Sequence, residues 1–168
     1  MKITLIITTY NWHESLFLVL ESLRHQIILP NEIIIADDGS DNKTKDLIND
    51  FNRNHKLNIL HSWQEDKGFR AARSRNKAIF ISSGEYIILI DGDTILHPSF
   101  VKDHSEIAEY GCFIQGSRVL ISESGTQKIL ATKNVNFSLF SPNLKNRKNS
   151  IHSNLLSSLF TSKKNHLN

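Results

Sequence analysis

Short runs of β-branched residues alternate with stretches of helical periodicity over the first 121 positions of the chain. That rhythm predicts an α/β fold: βαβ units forming a mostly parallel central sheet with flanking helices. Residues 3–8 read as the first strand. Leu16, Val19, Leu20 and Leu23 then recur at helical spacing, and Pro30 closes the connection. A second strand over 32–36 runs into Asp37-Asp38-Gly39-Ser40, and a second helix follows with Leu47, Ile48 and Phe51 on one face. Residues 57–61 form a third strand. Residues 69–81 read as a helix with Ala72, Asn76 and Ile79 aligned, ended by Ser82-Ser83-Gly84. The near-continuous apolar run over 85–90 predicts a strand buried on both faces, stopping at Asp91. His97-Pro98 opens a fourth helix through 109, and 113–121 reads as a further strand. Beyond Glu123 the pattern weakens. Residues 154–160 suggest at most a short amphipathic turn or two, and no internal repeat is present.

In an open parallel sheet the loops at the carboxyl ends of the strands diverge and leave a crevice for ligands. Three polar clusters fall there: Thr8-Thr9-Tyr10-Asn11, Asp37-Asp38-Gly39-Ser40 and Asp91-Gly92-Asp93. Taken singly, either acidic cluster also reads as an ordinary turn; at one edge, the three point to a single site. Crowded carboxylates repel one another unless a cation intervenes, and hard divalent ions favour carboxylate oxygens, which implies Mg²⁺ or Mn²⁺. Such an ion takes one or two protein carboxylates together with phosphate oxygens and water. Gly92 allows the tight backbone turn between the two acids. The segment from Lys67-Gly68 to Arg75-Asn76 brings Arg70, Arg73 and Arg75, whose forked donors suit a diphosphate. Arg70 and Arg73 read equally well as a solvated helix face.

Composition narrows the class. With 168 residues, 39% hydrophobic and 22% charged, the chain is long enough for one domain with a core and far from a disordered composition. Its apolar runs fall well short of the roughly 20 residues that span a bilayer, and no cleavable leader is read at the N-terminus, so a cytoplasmic location is expected. The single cysteine, Cys112, has no disulfide partner and is expected to be a small buried thiol. Charge is unevenly distributed: all 17 acidic residues lie at or before Glu123, whereas Lys128, Lys133, Lys145, Arg147, Lys148, Lys163 and Lys164 follow it. This basic tail offers peripheral contact with the inner face of the plasma membrane, although its Asn, Ser and Lys content reads more simply as a solvated end. No nucleic-acid partner is expected.

The motifs also resemble a family. Thr8-Thr9-Tyr10-Asn11, Asp37-Asp38-Gly39-Ser40, Gly68 with Arg75-Asn76, and the run from Gly84 to Asp91-Gly92-Asp93 are similar, in order and spacing, to the successive motifs of family-2 glycosyltransferases with the GT-A fold. Residues 68–72 and the stretch from Phe100 to His104 further resemble a bacterial branch that builds surface polysaccharide and lipopolysaccharide. The resemblance covers residues 2–121. It implies a nucleotide-sugar donor, UDP-linked or similar, and a glycan or lipid-linked acceptor. Thr8, Thr9, Tyr10 and Asn11 would line the nucleoside pocket, and Asp38 with Asp37 would hold the base. Gly68, Arg75 and Asn76 would border the nucleotide and sugar. Asp91 and Gly92 would lie by the ribose or donor sugar, and Asp93, with Asp91, would bind the metal. It further implies inversion at the anomeric carbon.

Such enzymes also carry a later carboxylate, often in a Glu-Asp pair on a helix, that deprotonates the acceptor. No Asp or Glu follows Glu123, and His152 and His166 are expected to be exposed structural residues, so the catalytic base is not assigned. His97 and His104 are expected at helix ends and in packing, with a role for His104 near the site left open. The expected organisation is a nucleotide-sugar-binding domain over 1–123 and a basic, incomplete remainder over 124–168. The readings carried forward are a metal-dependent glycosyltransferase, a truncated non-catalytic nucleotide-sugar-binding remnant or partner subunit, a receiver-like signalling domain, and a nucleic-acid-binding tail.

Overall fold

The strands expected over 3–8, 32–36 and 85–90 form β1 (Ile3–Thr9), β2 (Glu32–Asp37) and β4 (Tyr86–Asp91), whereas the one expected over 57–61 starts two residues later, as β3 (Ile59–Trp63). In the computed structural model, which describes residues 1–55, 57–137 and 140–150, all four pair in parallel in the order β3-β2-β1-β4. Between them run α1 (His13–Arg24), α2 (Asn42–His55) and α3 (Ala71–Ile81), with α4 (Phe100–Ile107) after β4. These elements make up one compact unit, Met1–Ile107; a second spans Ala108–Asn168.

The period of two along each strand sorts the core into two layers. Ile3, Leu5, Ile7, Ile33, Ile35, Ile59 and Ile88 pack with Leu16, Val19, Leu20 and Leu23 of α1, Ile48 and Phe51 of α2, and Leu96 and Val101 around the start of α4. Full burial of each Leu or Ile contributes about 1.5–3 kcal/mol, and this layer carries most of the stability. On the opposite face Ile6, Ile34 and Ala36 meet Ala78 of α3. The helix contacts the sheet through Ala71, Ser74 and Ala78, small residues that let its backbone come close. Ala72 and Asn76, expected on the packed stripe, are exposed, and Ile79 is at the surface as well.

β4 departs from expectation. Its apolar run suggested burial on both faces, yet only Ile88 is buried and Leu89 is 50% exposed. The strand order explains this: β4 sits at the sheet edge beside β1, while α3 lies over β1, β2 and β3.

In the second unit the expected strand over 113–121 reduces to β5 (Leu120–Ile121), antiparallel to β6 (Leu144–Lys145). Phe113 is 81% exposed; β propensity without a partner strand does not make a strand. Cys112 is exposed rather than buried, since residues 112–119 form no helix or strand that could enclose it. A helix that the sequence pattern hid, α5 (Glu123–Thr132), starts at Ser122, whose hydroxyl accepts from the Gly125 N–H at 3.3 Å, and ends at Lys133 in a left-handed conformation. Only Gly125 and Ile129 of α5 are buried, too narrow a stripe to register as periodicity. A single 3₁₀ turn, Arg147–Ser150, follows β6. The turn suggested over 154–160, and His152 and His166, lie outside the described residues. Among the described residues no helix is long and apolar enough to cross a membrane.

Candidate functional site

Register brings the three polar clusters to one edge. Thr8 lies beside Asp91 of β4, and Thr9 beside Asp37 of β2. Neighbouring strands are about 4.8 Å apart, so the two acidic loops stand about 10 Å from one another across Thr8-Thr9. Trp63 is level with Asp37 on the far side, which adds the end of β3 to the same edge.

The Asp37–Ser40 turn is tightly specified. Asp37 is fully buried, and its Oδ1 accepts from the N–H groups of Gly39 (3.1 Å) and Ser40 (2.8 Å). Its Oδ2 pairs with His61 Nε2 at 2.8 Å. Burial pushes the Asp37 carboxyl upward, but the hydrogen bonds from His61 and Ser40 outweigh it and hold the group below the usual carboxylate range. Gly39 has φ +105°, and a Cβ there would fall 2.6 Å from Asp66 Cα, so this position admits only glycine. Asp38 is also buried. Its Oδ1 accepts from Gln64 Nε2 at 2.5 Å and its Oδ2 from the Arg70 N–H at 2.6 Å.

The Thr8–Asn11 loop is clasped to that turn. Asn11, at φ 47°, accepts from the Asp41 N–H at 2.9 Å through its side chain, while its own N–H donates to Ser40 Oγ at 2.9 Å. The Tyr10 hydroxyl donates to Asp66 at 2.9 Å, and that bond, with the Asp66 charge, raises the phenol's pKa. Asp66 also caps Gly68, whose N–H donates at 3.0 Å and whose φ is +82°.

At the other acidic loop the Gly92 N–H donates to the Thr8 carbonyl at 2.7 Å, and a Cβ on Gly92 would lie 2.9 Å from that oxygen. Arg75 reaches from α3 to both strands, its Nε donating to Thr8 Oγ1 at 2.9 Å and its Nη2 to Asp91 Oδ1 at 2.8 Å. Asp93 is exposed and makes no hydrogen bond or ion pair among the described residues. Asn76 is exposed on α3, one position on from Arg75. Arg73 is exposed too, and the Arg70 side chain turns back to the Glu65 carbonyl.

Two expectations change here. Repulsion among the acids is relieved largely by the protein itself: His61 faces Asp37, Gln64 and a backbone N–H hold Asp38, and Arg75 meets Asp91. Crowding alone therefore does not call for a cation, and no group of three or more His, Cys, Asp or Glu suited to a metal occurs among the described residues. What fits a divalent ion is narrower. Asp93 and the free oxygen of Asp91 offer the one or two carboxylates that a phosphate-bound Mg²⁺ or Mn²⁺ takes. His104 belongs elsewhere: it shares a 2.9 Å hydrogen bond with Tyr86 at the far end of β4 and packs on Phe100. The six-residue strand carries Asp91 about 16 Å away. Burial lowers the His104 pKa, as suits a neutral packing residue. His97 closes a helix-end turn, its Nδ1 accepting from the Ser99 N–H.

His61, Trp63, Gln64 and Asp66 complete the site but were not singled out from the sequence. The available signal was positional: a third parallel strand ending beside β2 must deliver its loop to the same edge.

Known proteins align with this arrangement. The hyaluronan synthase of Pasteurella multocida is 33% identical over 108 residues, 64% of this chain and 11% of that protein. The Escherichia coli UDP-Glc:alpha-D-GlcNAc-diphosphoundecaprenol beta-1,3-glucosyltransferase WfaP is 35% identical over 91 residues, 54% of this chain and 35% of that one. Among solved structures, S. aureus TarS 1-349 in complex with UDP superposes with a TM-score of 0.57 at 27% identity, covering 63% of this chain and 31% of its own. The chain thus spans about a third or less of the length of TarS 1-349 and of the hyaluronan synthase, and 35% of WfaP. The four-stranded parallel sheet and its helices are those of GT-A structures. The profile of the family described as Glycosyl transferase family 2 matches residues 4–165, and the chain belongs to that family.

Proposed function

We propose that the carboxyl edge of this sheet binds a UDP-linked sugar and that the chain is the donor-binding part of a glycosyltransferase. The observation that carries the reading is the register of Thr8-Thr9, flanked by Asp91 on one side and Asp37 on the other, with Arg75 tying Thr8 to Asp91. A nucleoside at the Asp38 turn and a diphosphate near Asp91 and Arg75 would span about the 10 Å between the two loops. Support comes from TarS, crystallised with UDP, and from WfaP, whose name gives a UDP-glucose donor and a diphosphoundecaprenol-linked acceptor.

The residues divide by what they can touch. Tyr10 and Trp63, both partly exposed, offer aromatic faces for a base. Asp38 offers acceptor lone pairs to it. Asp37, with three hydrogen bonds of its own, organises the turn rather than meeting the ligand. Thr8, Thr9, Asn11, Gly68, Gly92 and Asn76 shape the cleft between base and sugar. Arg75 holds Asp91 and retains donors that suit a phosphate oxygen. Asp93, with Asp91, would hold Mn²⁺ or Mg²⁺. Bound there, the ion would neutralise charge on the departing nucleoside diphosphate. Transfer would then be a single inverting displacement. The hydroxyl of a glycan or lipid-linked acceptor forms the new bond to the anomeric carbon as the bond to the diphosphate oxygen breaks, the nucleoside diphosphate departs, and the hydroxyl proton passes to a general base outside the residues assigned here.

Calorimetry with UDP and Mn²⁺ tests the reading. Saturable binding by the native chain, weakened at least about tenfold in Asp93→Ala, is expected. An absence of binding to the native chain, or full-strength binding by the variant, would overturn it.

A further inference from the structure

On the face of the sheet that α3 covers, apolar side chains stay in solvent on the helix and on both sides of it. Leu60 of β3 lies beside Ile34, and Leu89 of β4 beside Ile6. Both therefore point to the side where Ile6 and Ile34 meet Ala78. Each is more than a third exposed, as are Ile79 and Ile81, and Phe80 is 89% exposed. At about 100° per residue these three consecutive positions fan over the outer surface of α3, with Phe80 at its crest. Phe69, just before the helix, is almost fully exposed as well. A patch of this kind, in the class of roughly 300–600 Å², is on a monomer often a functional contact surface.

The charges on the helix have one sign. From Lys67 to Gly84 there is no Asp or Glu. Lys67 and Arg75 are paired, with Glu65 and Asp91, and the Arg70 side chain turns to the Glu65 carbonyl. Two cations remain on the outer side with Phe80. Arg73 is exposed and makes no hydrogen bond or ion pair among the described residues. Lys77 is exposed and donates to the Trp63 carbonyl at 2.5 Å, which leaves two of its three donors. The acids just beyond the helix end are engaged: Glu32 accepts from Thr4 and Ser83, and Glu85 from the Lys2 N–H.

Apolar tips interleaved with cations, on a helix without acids, complement an anionic lipid surface. Its headgroups meet the cations while the apolar side chains enter the acyl boundary. A second copy of the chain fits less well. Two-fold contact through this face would set the Arg73 and Lys77 pairs against each other with no acid between them.

We propose that the α3 face is a membrane-docking surface. Phe80, Ile79 and Ile81 enter an anionic bilayer, and Arg73 and Lys77 rest among its headgroups. The surface goes beyond the donor reading and does not depend on it, because vesicle binding is measured without UDP.

Flotation of the full chain with vesicles of phosphatidylglycerol and phosphatidylcholine, against vesicles of phosphatidylcholine alone, tests the proposal. The native chain is expected to prefer the anionic vesicles by about tenfold or more at about 0.1 M salt. Substituting Phe80→Ser and Ile81→Ser together should weaken that binding at least about tenfold. Arg73→Glu should weaken it about fivefold or more. Phe80→Trp should gain a blue-shifted emission on the anionic vesicles that is absent from the native chain, whose Trp12 and Trp63 stand near the carboxyl edge of the sheet. Full-strength binding by the paired serine and Arg73→Glu variants would move the contact to the lysines and arginines after Glu123 and overturn the proposal. So would an absence of vesicle binding, or an unshifted emission in Phe80→Trp. A dimer in sedimentation that the paired serine variant dissolves would make a second copy the occupant and overturn it too.

Discussion

Arg75 of α3 and Asp91 at the end of β4 meet at 2.8 Å, while the same guanidinium holds Thr8 of β1 at 2.9 Å. The helix on one face of the sheet is thereby tied to the ends of two adjacent strands. Both partners are substantially solvent-exposed, and exposed ion pairs contribute only about 0–1 kcal/mol to stability. Arg75→Ala should therefore leave the urea midpoint nearly unchanged and weaken UDP affinity at least about tenfold. Arg75→Lys, which keeps the charge but not the fork, should recover only part of that loss. A variant that binds UDP as the native chain does would remove Arg75 from the site.

Gly92 is constrained by contact rather than by backbone conformation. An added methyl would approach the Thr8 carbonyl oxygen to 2.9 Å and the Thr9 side chain to 3.3 Å, and the Thr8 backbone, held in the sheet, has little room to yield. Gly92→Ala is expected to destabilise by about 1–3 kcal/mol, read from urea unfolding, and to weaken UDP binding by displacing the Asp91–Asp93 loop. Unchanged stability would mean that the loop gives way freely.

Asp37 links the site to acid stability. Its folded pKa is depressed below the unfolded value of about 3.9. The unfolded chain therefore takes up its proton first as pH falls. The stabilisation is present above about pH 3.9 and is lost as pH drops through the lower folded value. Asp37→Asn should be less stable than the native chain at pH 7, with a shallower further loss between about pH 4 and 2. Parallel acid limbs in urea titrations of the two proteins would contradict this.

Ile88 and Leu89 test the edge position of β4. Ile88 is buried in the main layer and Leu89 is half-exposed. Ile88→Ala should cost about 2–5 kcal/mol, whereas Leu89→Ser should stay within about 0.5–1 kcal/mol of the native chain. Comparable losses at both positions would indicate that Leu89 is covered in solution.

Much of the architecture was legible in the amino-acid order. Ile3–Thr9, Glu32–Asp37 and Tyr86–Asp91 stand out by β-branched content, and α1 by the spacing of Leu16, Val19, Leu20 and Leu23. A parallel sheet with polar loops at its carboxyl ends follows from that alternation, because βαβ chains carry all their strand ends to one side. Thr8, Asp37, Asp38, Asp91 and Asp93 could be gathered into one region on that basis alone.

Strand order, partners and exposure were decided only in three dimensions. Period and propensity are local, and they cannot say that β4 is an edge, that residues 113–119 lack a strand to pair with, or that Cys112 is uncovered. Nor could they reveal that His61 hydrogen-bonds Asp37, that Gln64 grips Asp38 or that Arg75 bridges Thr8 and Asp91, since these pairs lie between 16 and 67 residues apart. Charge compensation depends on distances through space, and chain order reports those only within a helix turn or along a strand.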